Sequence, residues 1–468
     1  MSEFFVHFVV TADHAIIWYF LVVNSFYALL LFLAIPEIWK HWKIMRNEDL
    51  RSYVGSDALP PISILMPAYN MQASITDSVA AQLSLEYPQH EVIVVNDGST
   101  DGTMDKLREA FDLYEVPPAF PRRIETQPVR AFYRSRTRPA LLVVDKERGG
   151  KADALNVALS SARYPIVVPV DADTIVAHDA LLRLVRPFLL GEHVAAAGGT
   201  IRVANGCDIV HSRVQDAQVP KGFLAAIQVP EYLRAFLFGR LGWNRLGGNL
   251  IVSGAFGLFQ RRYLLEINGY NAGNVVEDLD LVVRLHEYLR ANKIPYDIPF
   301  IPDPVAWTEV PSDLRTHGRQ RERWHRGLIL TMMNHRRLLL NRRYGRIGLL
   351  TMPFFFFGEM LAPVIELLGY ILTAVGIAMG FLSPQFALLF LAVALGYQML
   401  LSLWAVILEE TTFHLYNRFS DFLRMLGYAI LEPFGYRQLT VFWRLKGFWN
   451  ALRGLTHWGE MRRKGFAG

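Results

Sequence analysis

The chain has 468 residues and is 52% hydrophobic, above the roughly 45 to 50% of soluble domains, so part of it belongs in lipid. A formal net charge of +5 is modest on this length and does not by itself imply a nucleic-acid partner; in a membrane protein it is the lysine and arginine excess of cytoplasmic loops. The lone Cys207 cannot close an internal disulfide, and no CxxC or Cys/His spacing suggests zinc, so a reducing compartment is the default.

The first element is residues 16–35, IIWYFLVVNSFYALLLFLAI, interrupted only by Asn24 and Ser25 and matching the length of about 20 apolar residues that a bilayer requires. No basic segment precedes it and no small-residue cleavage site comes after it, so an uncleaved anchor is expected rather than a signal peptide. Lys40, Lys43 and Arg46 come after the span while Glu3 and Asp13 precede it, which places the residues beyond the span in the cytoplasm. Residues 1–50 then form a transmembrane anchor with its juxtamembrane segment, and 51–340 a cytoplasmic domain.

Within that domain, ISILMPAYN (62–70), EVIVVND (91–97), ALLVVDK (140–146) and PIVVPVDAD (165–173) are short β-branched runs, with helical segments between the first two and the last two. Continuous apolar strands separated by helices predict a parallel sheet covered on both faces, whose ligands bind beyond the carboxyl ends of the strands. The connection 111–139 is the least regular part.

Chemistry-bearing residues fall at those carboxyl ends. VVNDGSTDGT (94–103) resembles a calcium loop only superficially, because the twelfth position counted from Asp97 is Arg108 where a bidentate glutamate is needed. It reads either as a turn or as a place where Asp97 meets a nucleoside. RGGKADALN (148–156) lacks the first glycine and the Ser/Thr of a P-loop; Lys151 either neutralises a phosphate or simply starts a helix. In VPVDADT, Asp171 and Asp173 are two apart, so an extended chain points both carboxylates to one side. A hard divalent ion, Mg²⁺ or Mn²⁺, completed by a diphosphate would relieve their repulsion.

In NVVEDLDLVVRL (274–285), Glu277, Asp278 and Asp280 open a helix, as the helix dipole alone favours, or supply a general base to an acceptor hydroxyl. HGRQRERWHRGL (317–328) combines an arginine fork suited to diphosphate with an indole face suited to a sugar ring; a juxtamembrane belt for anionic lipid is the plainer reading. That plainer reading covers Arg336, Arg337, Arg342 and Arg343, and also the flanking Arg319, His325 and Arg326.

Residues 347–382, with Pro353, Glu359, Pro363 and Glu366, are too long for one simple span and read as an interfacial helix feeding a span. Residues 386–408 form a clean span. Residues 422–445 carry Glu432, Arg437 and Arg444 and divide evenly between a further span and a surface-lying helix. The segment 341–445 is thus interfacial and transmembrane, and 446–468 a cytoplasmic basic tail ending in Arg462, Arg463 and Lys464.

Taken in order, NDGSTDGT, GGKADALN, DAD, VVED and QRERW resemble the signatures of membrane-bound family 2 glycosyltransferases, the group with cellulose, chitin, hyaluronan and poly-N-acetylglucosamine synthases. The resemblance covers about residues 60–330 and the flanking membrane layout. It implies an α/β GT-A-like, Rossmann-type nucleotide-sugar-binding domain in the cytoplasm, flanked by α-helical transmembrane segments of the cell (inner) membrane. It assigns Asp97, Lys151, Asp171, Asp173, Gln320, Arg321 and Arg323 to the nucleotide sugar, with Asp173 holding the metal. Asp278, matching the aspartate of the family's TED motif, would be the catalytic base, with Val276 standing where threonine is usual. Gly254, Ala255 and Phe256 of SGAFGLFQRR (253–262), with Glu277 and Trp324, would meet the acceptor. THWGEMRR (456–463) resembles a C-terminal segment that closes over the nucleotide.

The expected activity is inverting transfer from a UDP-sugar to a growing β-linked glycan. Transfer of one sugar to a lipid carrier or short glycan is the alternative. The expected partners are donor, glycan or lipid-linked acceptor and membrane lipids, with a second copy or an accessory export subunit where two or three spans do not make a whole channel. A catalytically dead sugar-binding transporter or receptor would lack Asp173, Asp278 or a QRERW residue, and all are present. Nucleic-acid binding is disfavoured because the basic residues concentrate beside the spans.

Overall fold

The computed structural model describes residues 3–47, 58–118, 123–210 and 213–455. The C-terminal segment THWGEMRR, with Arg462 and Arg463, and Lys464 lie outside the described residues. A helix over Glu3–Asn47 comes first, and the α/β domain comes next.

The domain is built on the strands β1 (Ile62–Ala68), β2 (His90–Asp97), β3 (Leu113–Val116), β4 (Val129–Ser135), β5 (Leu141–Lys146), β6 (Ile166–Pro169), β7 (Ile175–Val176), β8 (Ala196–Val203), β9 (Asp208–Val210), β10 (Arg213–Asp216), β11 (Gly257–Gln260) and β12 (Phe300–Thr308). Ten of them form one mixed sheet in the order β3-β4-β5-β2-β1-β6-β11-β8-β12-β7. The expected parallel block is there: β5, β2, β1 and β6 pair in parallel. Chain order runs outward from β1 through β2 to β5, then returns to put β6 on the other side of β1. The sheet's topological switch point, where ligands bind in open α/β sheets, therefore falls between β1 and β6. This is the GT-A-like α/β arrangement expected.

Side chains alternate across β1: Ile62, Ile64 and Met66 enter one core with Val92, Val94, Ile75, Leu107 and Leu181, while Leu65 enters the other with Ile93, Leu155, Leu281 and Leu285. Both faces are covered by helices, which is why these strands are continuously apolar. The irregular connection 111–139 proves to hold β3 and β4, which extend the sheet antiparallel at its edge. Their half-exposed, arginine-rich sequence hides them from a hydrophobicity reading.

Two helices, His7–Ile44 and Pro384–Thr412, are long and apolar enough to cross a membrane; Ile347–Met360 with Ala362–Ala378, bent by 43°, makes a third when counted as one span. The segment read two ways, 422–445, is not one helix. Pro433 and Gly435 divide it into Phe419–Leu431 and Tyr436–Leu452. The second half lies on the helix Leu314–Asn334, with Gly447 against the Glu322 carbonyl and Gly318 against the Trp443 ring.

Charges join the membrane helices to the domain. Arg202 on β8 donates to Glu409 at 2.7 Å, with side chains 2% and 1% exposed. Arg234 pairs with Glu432, whose other oxygen accepts from Ser402. Removing one member of a buried pair leaves an uncompensated charge and costs about 3 to 5 kcal/mol. We therefore expect Glu409→Gln to lower the thermal unfolding midpoint of the detergent-purified protein, and Arg202→Met combined with Glu409→Met to recover part of the loss; a single variant as stable as the parent would contradict the pairing.

Candidate active site

The site is assembled at the switch point from three carboxyl-terminal strand ends and two helix starts. Asp97 ends β2 with its carboxylate nearly fully engaged. Oδ1 accepts from Lys146 Nζ at 2.7 Å and from the Gly149 N–H at 2.8 Å, and Oδ2 accepts from the Gly150 N–H at 2.8 Å. Gly150 sits at φ +90°, a conformation glycine adopts without strain, and this turns the loop back onto Asp97. Lys146 is 0% exposed and also contacts Asp153 Oδ1 at 2.6 Å. Asp97, assigned to the nucleoside, is thus the anchor of the glycine loop, and nothing in the sequence singled out Lys146 as its partner.

The loop delivers Lys151 to the cavity. Its ammonium lies 2.6 Å from Asp171 Oδ1, beyond β6, and 2.8 Å from Glu277 Oε1, at the start of the helix Glu277–Ala291. Burial opposes the charge on Lys151, but the two carboxylates outweigh it and hold its pKa above the ordinary lysine value. Glu277, expected beside the acceptor, is therefore committed to Lys151.

Asp278 is half-buried next to this pair. Its Oδ2 accepts from the Gly254 N–H at 3.1 Å and Oδ1 from the Leu279 N–H at 2.9 Å. Gly254 has no Cβ to hold the two segments apart: one would fall 3.2 Å from that of Asp278. Burial and Glu277 raise the Asp278 carboxyl above the usual aspartate value, against the pull of Lys151 and the two N–H groups. A half-buried carboxylate with raised basicity suits proton abstraction. Val276, in the threonine position, packs its side chain against Gly327 of the helix Leu314–Asn334.

That helix carries QRERW. Gln320, Arg323 and Trp324 stand three and four residues apart and share a face toward the cavity. Arg323 lies in the field of Glu277, Asp278 and Asp171. Arg321, two residues from Arg323 and about 200° away around the helix, also borders the cavity, but its fork is engaged by an acid of the protein. Both ends of its fork donate to Glu231, at 2.6 and 2.8 Å, and its guanidinium lies 4.8 Å from the Trp324 ring. The assignment of Phe256 is corrected: it is fully buried in the core beneath β6, bridged to Val170, while Gly254 and Ala255 border the cavity. Of the residues assigned to lipid head groups, Arg319 is exposed, but His325 and Arg326 are buried, meeting Arg444 and the Leu455 carbonyl.

One cavity of about 1110 Å³ joins these groups. It runs from Lys151, Asp171 and Asp278 past Trp324 to Tyr19, Asn24, Phe354 and Gln398 on the membrane helices.

The Glycosyl transferase family 2 model matches residues 63–266, and the Glycosyl transferase family group 2 model matches residues 166–404, more than half of the chain. The chain belongs to glycosyltransferase family 2. The glycosyltransferase is similar to poly-beta-1,6-N-acetyl-D-glucosamine synthase of Staphylococcus epidermidis, 27% identical over 267 residues, 57% of this chain and 54% of that protein. It is also similar to the synthase of that name from Staphylococcus aureus strain COL, 27% identical over 275 residues, 58% and 56% respectively. The chain spans about half the length of these curated relatives. Among solved structures it is similar to the mannosyltransferase PcManGT from Pyrobaculum calidifontis in complex with GDP-Man and Mn²⁺ (TM-score 0.49, 19% identity, 89% of this chain and 99% of that one). Another is S. aureus TarS 1-349 in complex with UDP (TM-score 0.39, 15% identity, 81% and 91%).

The helix bearing Asp278 is itself fixed to the QRERW helix. His335 Nδ1 lies 2.8 Å from Glu287 and Nε2 3.4 Å from Asp280. Burial disfavours the imidazolium, yet the hydrogen bonds and charges of Asp280 and Glu287 raise His335 to about 9. Because folding raises this pKa from 6.5, the clamp stabilises fully below the unfolded value and fades as pH climbs through about 9. The unfolding midpoint of the glycosyltransferase should fall across that range, and His335→Gln should flatten the slope; an unchanged slope would remove the clamp from the account.

Proposed function

We propose that this glycosyltransferase inverts the anomeric centre, takes its sugar from a UDP-linked donor, and extends a β-linked polysaccharide at the cytoplasmic face of the cell (inner) membrane. The observation that carries this reading is the single cavity from the Lys151, Asp171 and Asp278 cluster to the membrane helices, which gives a lengthening product somewhere to go. The same opening would admit a lipid-linked acceptor, so product size decides between extension and single transfer.

In the proposed reaction Asp278 removes the proton of an acceptor hydroxyl as its oxygen attacks the anomeric carbon. The bond from that carbon to the donor's diphosphate breaks, and inversion results from attack on the opposite side. Lys151 and Arg323 bring positive charge to the side where the diphosphate leaves. Trp324 offers an indole face to the acceptor's terminal ring. Gly254 and Ala255 let backbone approach that sugar.

Asp173 would hold Mg²⁺ or Mn²⁺, with Asp171 nearby and already tied to Lys151. Among the described residues no cluster of three or more His, Cys, Asp or Glu side chains could hold an ion unaided. A hard ion held by these carboxylate oxygens would take its remaining oxygens from the diphosphate. When bound, such an ion neutralises charge developing on the leaving group.

A panel of nucleotide sugars supplied with Mg²⁺ or Mn²⁺ to membranes containing the chain tests this reading. The name of the curated relatives makes UDP-N-acetylglucosamine the first donor to try. Release of nucleoside diphosphate with a long product is expected, and none released from any donor would overturn the assignment. Asp278→Asn should abolish transfer while donor binding persists, and retained turnover would remove Asp278 from the base role. Lys151 favours ionised Asp278, so Lys151→Met should move the acid limb of kcat/KM to higher pH; a limb that stays put would mean that another group sets it.

A further inference from the structure

The cavity wall contains a buried arginine, Arg240, that the proposed reaction does not use. Four of its arginines are matched to acids: Arg321 with Glu231, Arg234 with Glu432, Arg437 with Glu366, and Arg444 with Glu359. Arg240, on the helix Gly239–Leu246, is not. It is 9% exposed and borders the cavity. Among the described residues no carboxylate lies within ion-pair distance of it, and its Nη1 is buried with no hydrogen-bond partner. Its guanidinium instead lies over Phe236 at 4.9 Å and Phe300 at 5.5 Å from the ring centroids. Burial lowers it to about 10, with Asp278 and Tyr232 offsetting part of that, so it remains a cation near neutral pH.

Buried charges are ordinarily paired or hydrogen-bonded, because an isolated one loses its hydration without return. Aromatic faces supply only part of what water gave. A bound anion would complete the site, and its position on the wall indicates which substrate brings that anion. Phe236, under Arg240, meets the Trp324 ring edge-on at 6.0 Å. One turn further along the Arg240 helix, Trp243 packs on Phe354 of the membrane-associated segment. Arg240 thus stands on the Trp324 and membrane side of the cavity, whereas the donor's diphosphate is assigned to Lys151 and Asp173 at the sheet.

We propose that Arg240 is an anion subsite on the acceptor side, taking a carboxylate or phosphate group carried by the acceptor glycan or its carrier. The acceptor is then acidic at or near its growing end, and Arg240 selects it over a neutral glycan. This rests on the glycosyl-transfer reading and specifies its acceptor class.

The test uses the full chain in detergent with three acceptors of equal length: a neutral oligosaccharide, one ending in a uronate, and one bearing a phosphate. The parent should show kcat/KM at least about tenfold higher for one acidic acceptor than for the neutral one, the scale expected when one partner of a buried charge contact is lost. Whether the uronate or the phosphate gives the preference names the source of the anion. Arg240→Gln should bring that ratio close to unity, and Arg240→Lys should keep part of it. A parent without preference, a ratio unchanged in Arg240→Gln, or a rise in donor KM that accounts for the whole defect would each overturn the proposal. Titration of the same oligosaccharides by tryptophan fluorescence gives the ratio as Kd where no acceptor is elongated. Absence of nucleoside diphosphate release from every donor counts against the transfer reading, while that titration still decides the anion subsite.

Discussion

One ammonium holds the site together. Lys151 lies between Asp171, from the end of β6, and Glu277, from the first turn of the Asp278 helix. Three carboxylates within one half-buried cavity would repel one another and raise one another's pKa, and a cation among them lets all three be folded into that space. The Gly149-Gly150 loop that delivers Lys151 is in turn fastened to Asp97, which is held by the fully buried Lys146. The sheet-side half of the site is therefore a relay of alternating charges running from the sheet to Asp278.

This relay explains why some of the site was legible in the sequence and some was not. The strand-end carboxylates stood out because they fall at the carboxyl ends of predicted parallel strands, where ligands of such sheets bind. Their partners did not stand out. Lys146 is the last residue of an ordinary strand, and Glu231 lies in FLAAIQVPEY, a helix otherwise without charge, so neither has local context to mark it. Helical geometry separated Arg321 from Arg323: a residue pair two apart cannot share a face, although the string QRERW reads as one patch. Gly254 and Asp278 were both legible as site residues, but the hydrogen bond that joins them spans 24 positions and belongs to tertiary structure. The second half of the sheet was missed because β8, AAGGTIRV, draws its burial from neighbours and not from large side chains.

The membrane-associated part obeys the same rule under a harsher penalty. Glu359 and Glu366 sit in the bent segment, and a carboxylate in an apolar region must be paired or it is costly. Both are met by arginines from Tyr436–Leu452: Arg437 grips Glu366 bidentately at 2.7 and 2.8 Å, and Arg444 reaches Glu359 at 3.3 Å. The arginines of this helix serve acids of the membrane segment, and an adjacent face lies on the QRERW helix, with Arg444 also reaching His325, so it works as a bracket between the two.

That bracket reaches Trp324. Tyr436 donates its hydroxyl to Glu231 Oε2 at 2.7 Å; Glu231 clamps Arg321; and Arg321 lies against Trp324. Burial opposes ionisation of Glu231, but Arg321 and Tyr436 outweigh it and hold its carboxyl below the usual range, so the clamp is charged at neutral pH. Trp324 is thereby positioned from the membrane side, whereas Asp278 is positioned from the sheet. Because the QRERW helix touches both systems, the placement of Trp324 relative to Asp278 is tied to how the helix Tyr436–Leu452 sits on the bent membrane segment.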